Sequence, residues 1–425
     1  MNAVFLFMVV VAFGFSGWHQ FFWTAAPGAT APMQALSSAM IEAAAGAVEL
    51  AIGLVGMMTL FLGLMKVAEA GGMLTILARL IRPLMVRIFP EVPADHPAMG
   101  AMILNLSANA LGLGNAATPM GIRAMQELEK LNPSPGTATN AMALFLAINT
   151  SSVTLLPTGV IAIRAAAGSL DPSAILPTTL FATLCSTSAA IIAAKLYCRW
   201  SPRVPLADGN TTNTESTPAE PGQEETGYPL WISVAALTLL AAMVPLAVVY
   251  GHVISSWIIP GLMVFFLCFG ALRRVRIYEV LVEGAKEGFQ VALRIIPYLV
   301  AILVAVAMLR ASGALDAFIG LIGPLTARLG LPAEALPMAL MRPLSGSGAY
   351  GIMAAIINDP AIGADSYVGY LVSTLQGSTE TTFYVLAVYF GAVGIRRARH
   401  ALAAALTADA VGIAAAVLAC RYLFL

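Results

Sequence analysis

The chain has 425 residues, 59% hydrophobic and 10% charged, with a formal net charge of zero. Soluble domains carry roughly 25% charged residues, so this composition, with a mean hydropathy of +0.85, excludes a soluble globular protein. The balanced charge excludes a global field that would recruit nucleic acid. Cys185, Cys198, Cys268 and Cys420 lack disulfide or C-x-x-C spacing, and His19, His96, His252 and His400 are scattered. Neither a disulfide framework nor a metal cluster is indicated.

A membrane-spanning helix needs about 20 apolar residues. The first candidate, 3–20, lacks a basic start and runs into Trp18, Phe21, Phe22 and Trp23, which suit a membrane interface better than a cleaved signal. Next come 44–65, a long helix with Glu42 and Glu49 near its start, and an amphipathic segment, 72–89, carrying Arg79, Arg82 and Arg87. A stretch rich in small residues follows from His96, then a polar-interrupted apolar run at 137–167 and a span at 172–197. Residues 201–228 are polar and rich in Pro, Thr, Ser and Glu, and read as a cytoplasmic linker. Beyond it, spans are expected at 229–250, 253–271 and 291–310, the last preceded by Glu283 and Glu287. A second amphipathic segment (314–329, with Asp316 and Arg328), a second small-residue stretch from Leu336, a second broken run at 364–395 and a span at 400–420 complete the order.

The parts on either side of the linker therefore repeat, giving domains 1–200 and 229–425. Apolar runs of about 10–14 residues interrupted by Gly, Asn and Ser are too short to cross and read as re-entrant hairpins. Crossing parity predicts halves inverted in the membrane. The positive-inside rule places the N-terminus, the linker, Arg273–Arg276 and Arg396–Arg399 in the cytoplasm, with 21–36, 168–172 and 251–253 outside.

Two stretches carry the functional argument. Asn149–Thr154 and Gln376–Thr381 are polar breaks inside apolar runs, and they align at a constant offset of 227 residues (149 with 376, 151 with 378, 154 with 381). Lipid supplies no hydrogen bonds, so such backbone survives only within protein or along a wet cavity. Matched breaks, one per half, point to a transporter's midplane site.

At these motifs the chain resembles a known family. HPAMGAMILNLSANALGLGNAATP and TATNAMALFLAINTSSVTLLP resemble spore maturation protein A; LPMALMRPLSGSGAYGIMAA and TLQGSTETTFYVLAVYFGAVGIRR resemble spore maturation protein B. Both fall in the nucleoside-recognition, or gate, group. That resemblance implies an all-α polytopic inverted repeat with re-entrant hairpins and broken helices, like the concentrative nucleoside transporter core, without settling the substrate.

In such a core the solute meets hairpin tips and helix breaks. The first hairpin offers Asn105, Ser107, Asn109, Asn115 and Thr118, and the first break Asn149, Thr150, Ser151, Ser152 and Thr154. The second hairpin offers Arg342, Ser345 and Ser347, and the second break Gln376, Ser378, Thr379, Glu380, Thr381 and Thr382. Glu380 stands out, since a carboxylate at membrane depth is costly unless paired or protonated. It could bind a cation, accept from a solute, carry a proton, or merely pair with Arg342. Hydroxyls in the breaks have a plainer alternative as interhelical glue. Asp409, inside the last span, reads as a proton relay or as the partner of a base near Arg396–Arg399.

The reading is a secondary transporter of the cell (inner) membrane, moving a small polar or anionic metabolite (nucleoside-like, carboxylate or similar). Its partners are the solute and the lipid bilayer, with no nucleic acid; a homo-oligomer stays open. No cofactor, metal ligand or enzymatic group is expected, and the coupling ion, Na⁺ or H⁺, stays open. The alternative is a non-transporting scaffold or regulator in spore or cell-envelope maturation.

Overall fold

The computed structural model describes all residues except 1, 25–29, 113, 152–153, 202–227 and 328–329, so the linker is outside the described residues almost entirely. Sixteen α-helices are present among the described residues, with a single 3₁₀ turn at Ala333–Ala335. The protein is an all-helical membrane protein. Leu176–Tyr197 and Ala401–Phe424 are each long and apolar enough to cross a bilayer.

The first half holds α1 (Asn2–Phe21), α2 (Pro32–Ala70), α3 (Met73–Ile88), the hairpin α4 (Pro97–Ala110) and α5 (Gly114–Lys130), the broken pair α6 (Asn140–Ser151) and α7 (Thr158–Ala166), and α8 (Leu176–Tyr197). The second holds α9 (Leu230–Leu272), α10 (Ile277–Ala311), α11 (Ala314–Ala327), the hairpin α12 (Leu336–Met341) and α13 (Gly346–Ile357), the broken pair α14 (Tyr367–Ser378) and α15 (Thr382–Ala392), and α16 (Ala401–Phe424).

Three boundaries differ from the sequence reading: α10 starts at Ile277, fourteen residues before the expected 291, so Glu283 and Glu287 lie inside it, and α2 and α9 differ as follows. α2 starts at Pro32, twelve residues before the expected 44, so Glu42 and Glu49 sit well inside it. Its early polar residues end the apolar run, but no glycine or proline between Met33 and Ala45 ends the hydrogen-bond ladder. α9 is helical throughout its 43 residues, including the 251–253 segment expected to be an exterior loop. A straight helix of that length would span about 64 Å. Yet Ser233 Oγ donates to Leu80 O in α3, while Gly270 packs on Val67 at the end of α2. Both ends thus sit beside neighbouring parts of α2 and α3, which are bent by 70° to each other. The ends of α9 are therefore much closer than about 64 Å, so the helix is strongly bent along its length.

The repeat is visible residue by residue. α6 and α14 start and end at positions 227 apart. Thr139 Oγ1 caps the Met142 N–H as Ser366 Oγ caps that of Gly369. At the other end, Ser151 Oγ donates to Ile148 O and Ser378 Oγ to Leu375 O. The breaks themselves differ: among the described residues 154–157 are non-helical in the first and 379–381 in the second.

The repeats run in opposite senses. α2 packs along α10 with Lys66 on Glu287 (3.3 Å), Met58 beside Gly288, and Ala43–Ala47 opposite Val306–Arg310. Gly284 and Gly288, four apart, let the α10 backbone meet Lys66, Leu62 and Met58 so closely that a Cβ on either would clash. α8 and α16 are antiparallel too: Ser186 Oγ donates to Ala408 O (2.9 Å), and Arg399 Nε, just before α16, to Ser201 Oγ beyond α8. Two corners close the arrangement. Ala138 N–H donates to Arg397 O at one, and Leu170 N–H to Asp365 Oδ2 (2.7 Å) at the other. Ala138 and Asp365 are repeat-mates, as are Leu170 and Arg397, so the corners are related by the repeat.

Two large apolar clusters make up most of the core among the described residues. One apolar cluster joins α7, α13, α14 and the end of α16, around Val160, Ile352, Leu371 and Val417. The other joins α4, α6, α15 and the start of α16, around Met99, Leu146, Val385 and Ala404. Between them lies a buried polar layer: Thr150, Ser151, Thr183, Ser186, Ser378, Thr379, Thr381, Thr382 and Asp409.

Candidate functional site

Both helix breaks lie in this layer and touch. Glu380 N–H donates to Thr150 O at 2.7 Å, tying the start of α15 to the end of α6. Each hairpin tip meets its own half's break: Leu155 N–H donates to Ala110 O, and Phe383 N–H to Pro343 O. The helix ends therefore satisfy some of their orphan backbone groups on one another rather than on solvent.

An amide network joins the first hairpin and first break to the second half. Asn109 Nδ2 donates to Asn149 Oδ1 (3.0 Å), and Asn149 Nδ2 to Phe145 O. Tyr389 Oη donates to Asn149 Oδ1 (3.4 Å) and accepts from Asn105 Nδ2 (3.1 Å), which also donates to Ala117 O (2.7 Å). Gly121 makes this possible, since a Cβ there would lie 2.2 Å from Tyr389 Oη. Asn105 Oδ1 and Ser107 Oγ are buried without a hydrogen-bond partner.

The second hairpin and second break form a charged group. Arg342, nearly buried, donates to Thr381 Oγ1 (3.1 Å) and to Thr379 O, and lies 3.7 Å from Glu380 Oε2. The Glu380 side chain remains 47% exposed, and Arg342 Nε and Gln376 Oε1 have no hydrogen-bond partner. The α13 N-terminus adjoins this group, because a Cβ on Gly346 would meet Thr381 Oγ1. Ser345 Oγ is occupied there as the cap, accepting from Gly348 N–H, with Ser347 Oγ 3.5 Å away. Thr382 Oγ1 donates to Asp409 Oδ2 (2.6 Å) on α16.

The structure thus brings Asn105, Asn109 and Asn149 together, and separately Arg342, Thr379, Glu380 and Thr381. Thr150, Ser151 and Ser378 bond their hydroxyls to carbonyls three residues back, and Thr154 is hydrogen-bonded or otherwise engaged. Ser152 and the Asn115 side chain are outside the described residues. Asp409 does not pair with the expected base: Arg399 binds Ala138 O, Asn140 and Ser201 at the corner instead. Two cavities, about 440 and 590 Å³, lie away from the breaks. One is lined by Glu91, Asn140 and Arg399, the other by Glu49, Arg310 and Asn358.

Sequence reading missed Arg164. Fully buried at the end of α7, it binds Ala364 O (2.7 Å), Ser373 Oγ (3.3 Å) and Asp365 Oδ1 (2.9 Å), and stacks over Tyr370 at 4.5 Å. A lone charge within TGVIAIRAA was the available signal. Tyr389 offered none, since a tyrosine in an apolar helix is ordinary.

Comparison with known proteins adds three findings. The family model described as nucleoside recognition (Gate) matches residues 51–197 and 292–396. Spore maturation protein B of Bacillus subtilis (strain 168) is 46% identical over 171 residues, 40% of this chain and 95% of that protein. Spore maturation protein A of the same organism is 46% identical over 160 residues, 38% of this chain and 82% of that protein. The two together are consistent with a fusion. Among solved structures, a doubly substituted CNTnw in an outward-facing state aligns over 100% of this chain and 99% of its own, with TM-score 0.48 and 12% identity.

Proposed function

This chain belongs to the nucleoside-recognition (Gate) family, and on that premise we propose that it is a secondary transporter of a small polar or anionic metabolite. It crosses the inner membrane several times, with the N-terminus cytoplasmic. The solute sits in the polar layer between the inverted halves. The observation that carries this reading is the set of buried polar atoms around the breaks that have no hydrogen-bond partner: Gln376 Oε1, Arg342 Nε and Asn105 Oδ1. Each such atom is costly where no water competes, and a solute bearing hydroxyl, amide or carboxylate groups would satisfy them. Arg342 and the adjoining α13 N-terminus favour negative charge, while Glu380 suits a hydroxyl or amine. The closed breaks then correspond to an occluded arrangement, which must part for the solute to enter.

A second reading has its own support. Direct bonding of Glu380 to Thr150, and hydroxyls spent on their own helices, fit a scaffold whose polar layer only fastens the halves. Thermal stabilisation of the purified protein by nucleosides, dicarboxylates and divalent cations separates the two. A transporter gives a hit that Glu380→Gln and Asn149→Ala abolish; a hit unchanged in both variants removes the site, and a panel without hits favours the scaffold.

A further inference from the structure

We propose that Asp409 is a proton-binding group that decides where the Arg342 guanidinium points, and that it thereby couples proton movement to the solute site. The coupling rests on the transport reading above; the proton site and its control of Arg342 do not. Asp409 is 3% exposed and lies about 12 Å along α16 from its start. Oδ2 accepts one hydrogen bond, from Thr382 Oγ1, and Oδ1 has no partner. Among the described residues no ion pair reaches it.

The helices packed around α16 offer little charge. Titratable residues on α8 are Cys185, Lys195 and Tyr197; on α14, Tyr367 and Tyr370; on α15, Tyr384 and Tyr389; α6 has none. Arg342 is the charge placed across the second break from Asp409: it donates to Thr381 Oγ1, and the next residue, Thr382, donates to Asp409. An ionised carboxylate with one hydroxyl donor is poorly compensated in a dry interior, so the carboxylate takes a proton. A hard cation would need several oxygens at once. The neighbouring Ser186 hydroxyl is directed instead to Ala408 O.

Coupling follows from the order of residues. Arg342 binds Thr379 O, Thr381 Oγ1 and approaches Glu380; the next residue, Thr382, holds Asp409. With Asp409 protonated, the guanidinium stays on the break and on Glu380. Loss of the proton to water breaks one O–H bond and leaves a negative charge beyond Thr382. That charge draws Arg342 inward, away from Glu380 and the solute position. No electron transfer is involved.

An infrared titration of the purified full chain tests the proton. A protonated-carboxyl stretch is expected to grow in as the pH is lowered from neutral, lost in Asp409→Asn and retained in Glu380→Gln. Should Asp409→Asn not fold, Thr382→Val, which removes the one donor, must shift that stretch; a band indifferent to the folded substitutions overturns the site. A second readout follows Arg342: alkylation of Ser347→Cys, in a chain without its native cysteines, compared with the same cysteine beside Asp409→Asn. The ratio of the two rates should change several-fold with pH, in step with the band. A ratio constant across pH overturns the control of Arg342. Neither readout uses a solute, so a panel without hits weighs against the transport reading without touching them.

Discussion

The Glu380 N–H and the Thr150 carbonyl are 2.7 Å apart, so the broken helix of one half is hydrogen-bonded to the broken helix of the other across the centre of the molecule. Neither half can shift its break without giving up that bond. Opening would expose an amide and a carbonyl that need new partners, from water or from solute.

Inversion makes a topological prediction. Single cysteines replacing Leu170 and Arg397, in a chain without native cysteines, should be labelled by a membrane-impermeant thiol reagent from opposite sides of sealed vesicles. Labelling of both from one side would contradict the antiparallel packing of α2 on α10 and α8 on α16.

Arg164 is expected to be structurally essential. Arg164→Met leaves the Asp365 carboxylate without its guanidinium partner and the Ala364 carbonyl without its donor. Removing one member of a buried pair typically costs about 3–5 kcal/mol; Asp365, being 29% exposed, places the loss toward the lower end. Arg164→Met with Asp365→Asn should cost less than the sum of the single changes, as measured by thermal unfolding. Strict additivity would mean the pair does not couple.

Gly121→Ala should disrupt the amide network, because its Cβ would fall on Tyr389 Oη. Overpacking of this kind costs about 1–3 kcal/mol, and a melting temperature equal to the parent's would show that Tyr389 moves freely. Any solute that binds through Asn149 should bind this variant more weakly.

His400 gives a pH dependence. Burial, together with the neighbouring Arg399 charge, pushes its imidazole down to about 4, and neither ring nitrogen has a hydrogen-bond partner. The folded state therefore prefers the neutral ring, while the unfolded chain takes up its proton near the ordinary value of about 6.5. Stability present above that value is lost as pH falls from about 6.5 toward 4. His400→Phe should flatten this part of the melting-temperature profile; an unchanged slope would assign it to another group.

Membrane class, the 227-residue repeat and the neighbourhood of both breaks were legible in the sequence, because apolar run length and polar interruption are properties of contiguous residues; the polar stretches begin early, since Asn149–Ser151 and Gln376–Ser378 are the last helical residues of α6 and α14. The matching ends of α6 and α14 were implicit in that alignment for the same reason. The continuity of α9 through Gly251 was not, since local composition does not reveal whether a backbone ladder persists through a turn. Asn109 beside Asn149, Arg342 on the second break and Arg164 across to Asp365 were decided only in the folded state. Most of these contacts link residues far apart along the chain, and no local propensity specifies them. Asp409 shows the difference most clearly. A carboxylate in an apolar helix was visible from the start, and about 12 Å of helix separates it from Arg399 whatever the packing; that the Thr382 hydroxyl would reach it was decided only in the fold. A pairing between distant helices settles which polar and charged groups meet, and no run of neighbouring residues contains that information.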